Sequence, residues 1–231
     1  MNGARLRLIC GLLVGLSACQ SSTNSGSTTT PGEAAPTSFV DPNGMMPVMR
    51  QESPHAISGS GDYRHAGSGL VLPLESNGFH RVDLMGFDPD NLDVSANYQR
   101  GSEGVGMTVY VFPVWLGARQ AYHVSEIPEI CAYQFEGMKK GVEHRFKDPR
   151  LVEEAPVSNS RFPKAAVSRV AIYEASGDTI SSTGPLRSEV HMSCGVDRIW
   201  IVQYRISYPQ SKNADAIRLD FMAAVPVTPA P

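Results

Sequence analysis

Between Leu92 and Phe146 the spacing of apolar side chains changes period, and only a fold that pairs strands with helices can use both spacings. Leu92-Asp93-Val94-Ser95-Ala96-Asn97-Tyr98 alternates without a fault, which puts Leu92, Val94, Ala96 and Tyr98 on the inward face of a half-buried strand. Ile127, Cys131, Phe135, Met138, Val142 and Phe146 then recur every third or fourth position. That is one stripe of a helix, with Pro128 suited to its first turn. Strands are also expected over Phe79–Phe87, Met107–Phe112, Leu151–Glu154, Ala165–Tyr173, Arg187–Cys194 and Ile199–Tyr208. The last begins Ile199-Trp200-Ile201-Val202, apolar on both faces, which marks a central strand. A second helix is expected over Ser211–Val225, with Asn213 as cap and Ala214, Ile217, Phe221 and Val225 on one stripe. The order β-β-β-α-β-β-β-β-α reads as an α+β domain, 70–225, with helices packed on a mostly antiparallel sheet.

The first sixty-nine residues carry no such periodicity. Arg5 and Arg7 precede the apolar run Leu8–Leu16, which as a helix reaches only ~14 Å of a ~30 Å hydrocarbon core and is no permanent span. Leu16-Ser17-Ala18-Cys19 resembles the lipobox of bacterial lipoproteins, in which small residues admit the chain to the signal peptidase. The resemblance implies a signal peptide over 1–18, acyl chains on Cys19, and anchorage at the periplasmic face of a Gram-negative membrane. Gln20 stands where enterobacterial lipoproteins kept at the inner membrane have Asp, so the outer membrane is expected. Removing the signal takes away two arginines and no acid, leaving 18 basic against 23 acidic residues, a net charge of −5. The acyl chains must then hold the membrane, at ~0.8 kcal/mol per buried CH₂. This acidic balance also excludes a nucleic-acid binder driven by a basic surface.

Residues 19–69 are rich in Ser, Thr, Gly and Pro and read as a disordered tether with a reach of roughly 40 Å. Met45, Met46 and Met49, with His55 and His65 downstream, offer thioether and imidazole groups suited to Cu(I), and a metal-binding lipoprotein is one alternative reading. Metal sites need closer, repeated spacing, so neither metal nor cofactor is expected. Residues 226–231 read as a Pro-rich tail.

Cys10 leaves with the signal and Cys19 is lipidated, so two thiols remain. Cys131 lies on the helix stripe and Cys194 shares a strand face with Val190 and Met192. Both face a helix–sheet interface in an oxidising compartment, where a disulfide is expected. It would close a loop of about 64 residues and stabilise by ~4 kcal/mol in the chain-entropy picture. No serine has glycines at both −2 and +2, no lysine follows a serine by three, and HExxH, Walker A and GxGxxG are absent, so no enzyme is expected. Asp88-Pro89-Asp90-Asn91-Leu92-Asp93 lacks the oxygen ligand and the glycine of a calcium loop and reads as a turn. A small hydrolase with an unrecognised site is the other alternative.

Thr108-Val109-Tyr110-Val111-Phe112-Pro113, Trp200-Ile201-Val202-Gln203-Tyr204-Arg205 and Phe221-Met222 resemble an uncharacterised proteobacterial family with a PsbP-like or DcrB-like architecture. That resemblance implies an accessory, non-catalytic protein attached to a larger assembly. The connection from Pro113 to Pro128 holds Trp115, Arg119, Tyr122 and His123 on an irregular segment. Such residues in a long loop suit a contact surface for an envelope protein partner, unless Trp115 and Tyr122 merely cover one end of the core.

Overall fold

The alternating runs become strands of one antiparallel sheet in the computed structural model, which describes residues 53–101, 104–114, 123–179 and 182–227, all within the unit Ala34–Pro231. Four short strands come first: β1 (His55–Ala56), β2 (Tyr63–Arg64), β3 (Val71–Leu72) and β4 (Glu75–Ser76). The long strands β5 (Phe79–Gly86), β6 (Val94–Gln99) and β7 (Gly106–Pro113) form the expected meander. A 3₁₀ turn, Val124–Glu126, leads into α1 (Ile127–Arg145). Then come β8 (Lys147–Pro156), β9 (Val167–Thr179), β10 (Ser182–Val196), β11 (Trp200–Pro209) and α2 (Asp215–Ala224). The long strands and both helices keep the expected α+β order. Across the sheet the strands run β1-β5-β6-β7-β11-β10-β9-β8, with β4 also on β5. The doubly apolar β11 is interior, between β7 and β10.

The helices occupy opposite faces of this sheet. Cys194 and Glu189 lie an odd number of residues apart on β10, so their side chains point to opposite sides. Cys131 of α1 is disulfide-bonded to Cys194, with Cα atoms 5.8 Å apart. On that side Phe135, Val142 and Ile130 of α1 are buried with Ala171, Tyr173, Val190 and Met192. The expected α1 stripe is present and Ile130 widens it. Lys139 binds Glu154 at 2.7 Å, and Glu154 also takes Arg169, joining the helix to β8 and β9.

On the opposite face Phe221 of α2 meets the rings of Phe79, Tyr98 and Tyr204 at centroid separations of 5.2, 5.3 and 6.1 Å. Its N-terminal half is fixed by charge. Glu189, fully buried, accepts from Arg218 of α2 at 2.8 Å, His191 at 2.9 Å and the Tyr208 hydroxyl at 2.6 Å. Burial alone would raise the Glu189 pKa. The bonds from His191 and Tyr208 and the Arg218 charge outweigh it and bring the carboxyl down to about 2. Arg161 caps the other end of α2 by donating to the Ala223 carbonyl, which the helix leaves unpaired, and to the Pro226 carbonyl just beyond it. Asn213 was expected to cap α2; instead Ala214 holds the N-cap position and the Asn213 side chain accepts from Asp215 N–H at 3.2 Å.

The domain reaches beyond both expected boundaries. The tether was expected to continue to Gly69, yet β1 pairs with β5, with His55 opposite Gly86, and His65 is fully buried. What orders this glycine-rich stretch is a set of polar clasps rather than an apolar stripe. Buried Arg81 donates to the Gly61 and Leu72 carbonyls. The His65 ring stands edge-on to Trp200, 4.9 Å between centroids. Gly67 lies so close to that indole that a Cβ would overlap it. At the far end Pro226 is buried and Val227 bridges to Val71, so the tail's first two residues belong to the domain.

Removing the carboxylate under α2 leaves half-buried Arg218 with Asp215 alone and takes the acceptor from His191 and the buried Tyr208 hydroxyl. Glu189→Ala is expected to cost about 3–5 kcal/mol. A urea midpoint that reports a loss below about 1 kcal/mol contradicts this role.

Candidate functional site

Three connections meet at the N-terminal end of α1 and leave a cleft of about 670 Å³ between them, within the range of ligand sites. Ser125, Ile127 and Pro128 come from the start of the helix. Lys164 and Ala166 come from the β8–β9 connection, Gly195 from the end of β10, and Asp197 and Arg198 from the turn that follows it. The disulfide holds two of these walls together, because Cys131 lies one turn into α1 and Cys194 immediately precedes Gly195. The third wall is fixed by buried Phe162 and by Asn159, whose side-chain amide donates to Ser193 Oγ at 2.9 Å. Gly195 has φ +77°, and a Cβ there would stand 2.8 Å from the Ala166 Cβ. The turn therefore closes against the β8–β9 connection only as glycine.

The expected contact segment contributes Ser125, Ile127 and Pro128 to this cleft. Trp115, Arg119 and Tyr122 lie outside the described residues, as do Cys19, Met45, Met46 and Met49. His123 is exposed, and its Nδ1 accepts from Ser125 N–H at 3.2 Å and from Ser125 Oγ at 2.7 Å. Glu126 Oε2 accepts from His123 N–H at 2.6 Å. His123 therefore shapes the turn that starts α1, and the cleft takes Ser125, Ile127 and Pro128 from the same connection. Lys164, Asp197 and Arg198 were missed, because charged loop residues carry no periodicity that would group them. Among the described residues the cleft lining brings together one carboxylate, Asp197, and no histidine.

A second cluster gathers titratable groups at the β5–β6 turn. Asp88, buried, accepts from the Asp90 and Asp93 N–H groups, and Asn91 turns the chain at φ 54°. His55 Nε2 donates to Asn91 Oδ1 at 2.9 Å. His65 Nε2 donates to the Leu92 carbonyl at 3.1 Å while its Nδ1 accepts from Ser68 N–H, also at 3.1 Å. The two histidines expected on a free tether are thus bonded into the fold. No group of three or more His, Cys, Asp or Glu able to hold a metal occurs among the described residues. Burial, then the Asp88 charge, raises the Asp93 carboxyl to about 7. Burial lowers His65 to about 4, against the opposing effect of its Leu92 bond. Perturbed groups often mark sites, but His65 clasps the N-terminal segment to the turn through Leu92, and Asp93 lies on that turn beside Asp88.

Asp93 and His65 give stability opposite slopes with pH. The Asp93 value of about 7 lies above its unfolded value of 3.8, so its contribution is fully present below 3.8 and is lost as pH rises through 7. The His65 value of about 4 lies below 6.5, so its contribution is present above 6.5 and is lost as pH falls through 4. Urea midpoints of the wild-type protein should be nearly flat between pH 7 and 4.5. Those of Asp93→Asn should fall on acidification, and those of His65→Gln should rise. A wild-type slope as steep as that of Asp93→Asn contradicts the pairing.

No helix among the described residues is long and apolar enough to cross a membrane. No protein-family model, curated protein or solved structure matches the chain, and the chemistry of the cleft is read from its own residues.

Proposed function

We propose that the protein is a lipid-anchored module of the bacterial envelope that works by contact and not by turnover, docking a protein partner at the cleft at the head of α1. The observation that carries this reading is the construction of the cleft. Its walls are stapled by the Cys131–Cys194 bridge, so it is formed before a partner arrives and little ordering entropy opposes docking. The connection from Pro113 to Pro128 supplies one wall through Ser125, Ile127 and Pro128, and its Trp115, Arg119 and Tyr122 are of the types enriched at contact surfaces. Acid–base or nucleophilic catalysis needs a positioned proton acceptor beside the reacting group, and the mixture of apolar and charged side chains in the cleft suits recognition better.

The lipobox supports anchorage through acylated Cys19, and Gln20 in place of Asp favours the outer membrane. The Ser-, Thr-, Gly- and Pro-rich composition that follows Cys19 suits a tether from the bilayer to the domain. The PsbP-like or DcrB-like architecture suggested by sequence agrees with an accessory role, since such domains attach to larger assemblies.

In cells, Cys19→Ser should move the protein from the membrane fraction or leave the precursor uncleaved. A photo-crosslinking amino acid at Ala166, in the cleft, should yield one discrete adduct that the same group at Leu219, exposed on α2, does not. Equal adducts at both positions, or an adduct at Leu219 alone, overturn the docking site. An unmodified amino terminus at another residue overturns the anchor.

A further inference from the structure

The turn between β10 and β11 places an arginine where the backbone favours glycine. Asp197 and Arg198 are consecutive left-handed residues, at φ 44° and 79°. Aspartate tolerates that region, but a long side chain enters it at a cost that glycine does not incur. The turn uses the Arg198 backbone, whose N–H donates to the Gly195 carbonyl at 3.0 Å. It does not use the side chain, which is exposed and without a partner among the described residues. Every other arginine among the described residues engages a carboxylate, a carbonyl, a hydroxyl or a ring. Lys164, also on the cleft, is exposed and likewise without a side-chain partner among the described residues. Backbone strain spent on a cation that no described residue engages, at the mouth of a preformed cleft, points to a ligand.

We infer that the cleft receives an acidic peptide segment of a partner protein, with Arg198 and Lys164 taking its carboxylates. The apolar surface of Ile127, Pro128 and Ala166 takes the side chains between those carboxylates. The Asp197 carboxylate, on the same turn, is an acceptor for a peptide N–H. Asp197 also weakens the positive field beside Arg198, which favours singly charged carboxylates over phosphate dianions. This inference rests on the docking reading above and adds the chemical class of the occupant.

The test uses the full chain carrying Cys19→Ser, free of acyl chains, and a fluorescein-labelled hexapeptide of alternating leucine and glutamate. The glutamine counterpart and phosphatidylglycerol vesicles serve as comparisons. The glutamate peptide should bind by anisotropy and perturb the Ala166 and Gly195 amides in NMR spectra, and the glutamine peptide should not. Arg198→Gly should weaken binding at least tenfold while leaving the melting temperature unchanged or higher, and Lys164→Gln should weaken binding without lowering it. Arg198→Asn, which also tolerates the left-handed backbone, should reproduce the loss. Equal binding of the two peptides, undiminished binding by both Arg198 variants, or Arg198-dependent binding to vesicles without peptide binding overturns the inference. Failure here with a discrete Ala166 adduct in cells removes the acidic ligand and leaves the docking site standing.

Discussion

Burial of β11 on both faces is the constraint on which the rest of the structure depends. At its start Trp200, Ile201 and Val202 are all buried. Ile201 pairs with Cys194 on the α1 side, while Trp200 and Val202 face the α2 side. Each such side chain contributes ~1.5–3 kcal/mol when taken from water, and here consecutive residues contribute to two cores at once. Neither core can open without exposing the strand that closes the other. The two helices, the N-terminal clasp over Trp200 and the disulfide are all arranged around that strand.

The cleft is a consequence of this arrangement. The chain enters β11 from the Gly195–Ile199 turn, so that turn is held by the best-buried part of the sheet. On one side the disulfide ties it to the first turns of α1. On the other, Gly195 closes against Ala166. A turn supported in this way can carry Arg198 in a left-handed conformation, because the surrounding contacts over-determine the backbone. Stability supplied by the core thus permits a turn that is not the lowest in local energy.

Much of this was legible in the residues, for reasons that also explain what was not. The stripe from Ile127 to Phe146 and the alternation from Leu92 to Tyr98 declare their buried faces directly, and Cys131 and Cys194 each sit on such a face. The sidedness of the helices was not legible. It depends on which face of β10 meets which helix, and Glu189, a buried carboxylate, reads as a solvated residue until Arg218, His191 and Tyr208 surround it. The domain boundary before Leu70 was hidden because Gly61, His65 and Gly67 are ordered by Arg81, Leu92 and Trp200, all distant in sequence. The cleft was half visible. The connection from Pro113 to Pro128 was marked by its length and composition, whereas Lys164 and Arg198 lie on loops that only the folded sheet brings together.

Native-state hydrogen exchange on the oxidised protein tests most directly whether β11 joins the two cores into one unit. The slowest amides of α1 and β9, on the disulfide side, and those of α2 and β6, on the other, should report the same opening free energy to within about 1 kcal/mol. Both should coincide with the slowest amides of β11 and with global unfolding. Two well-separated values, with one side opening while β11 stays protected by the other, would contradict the account.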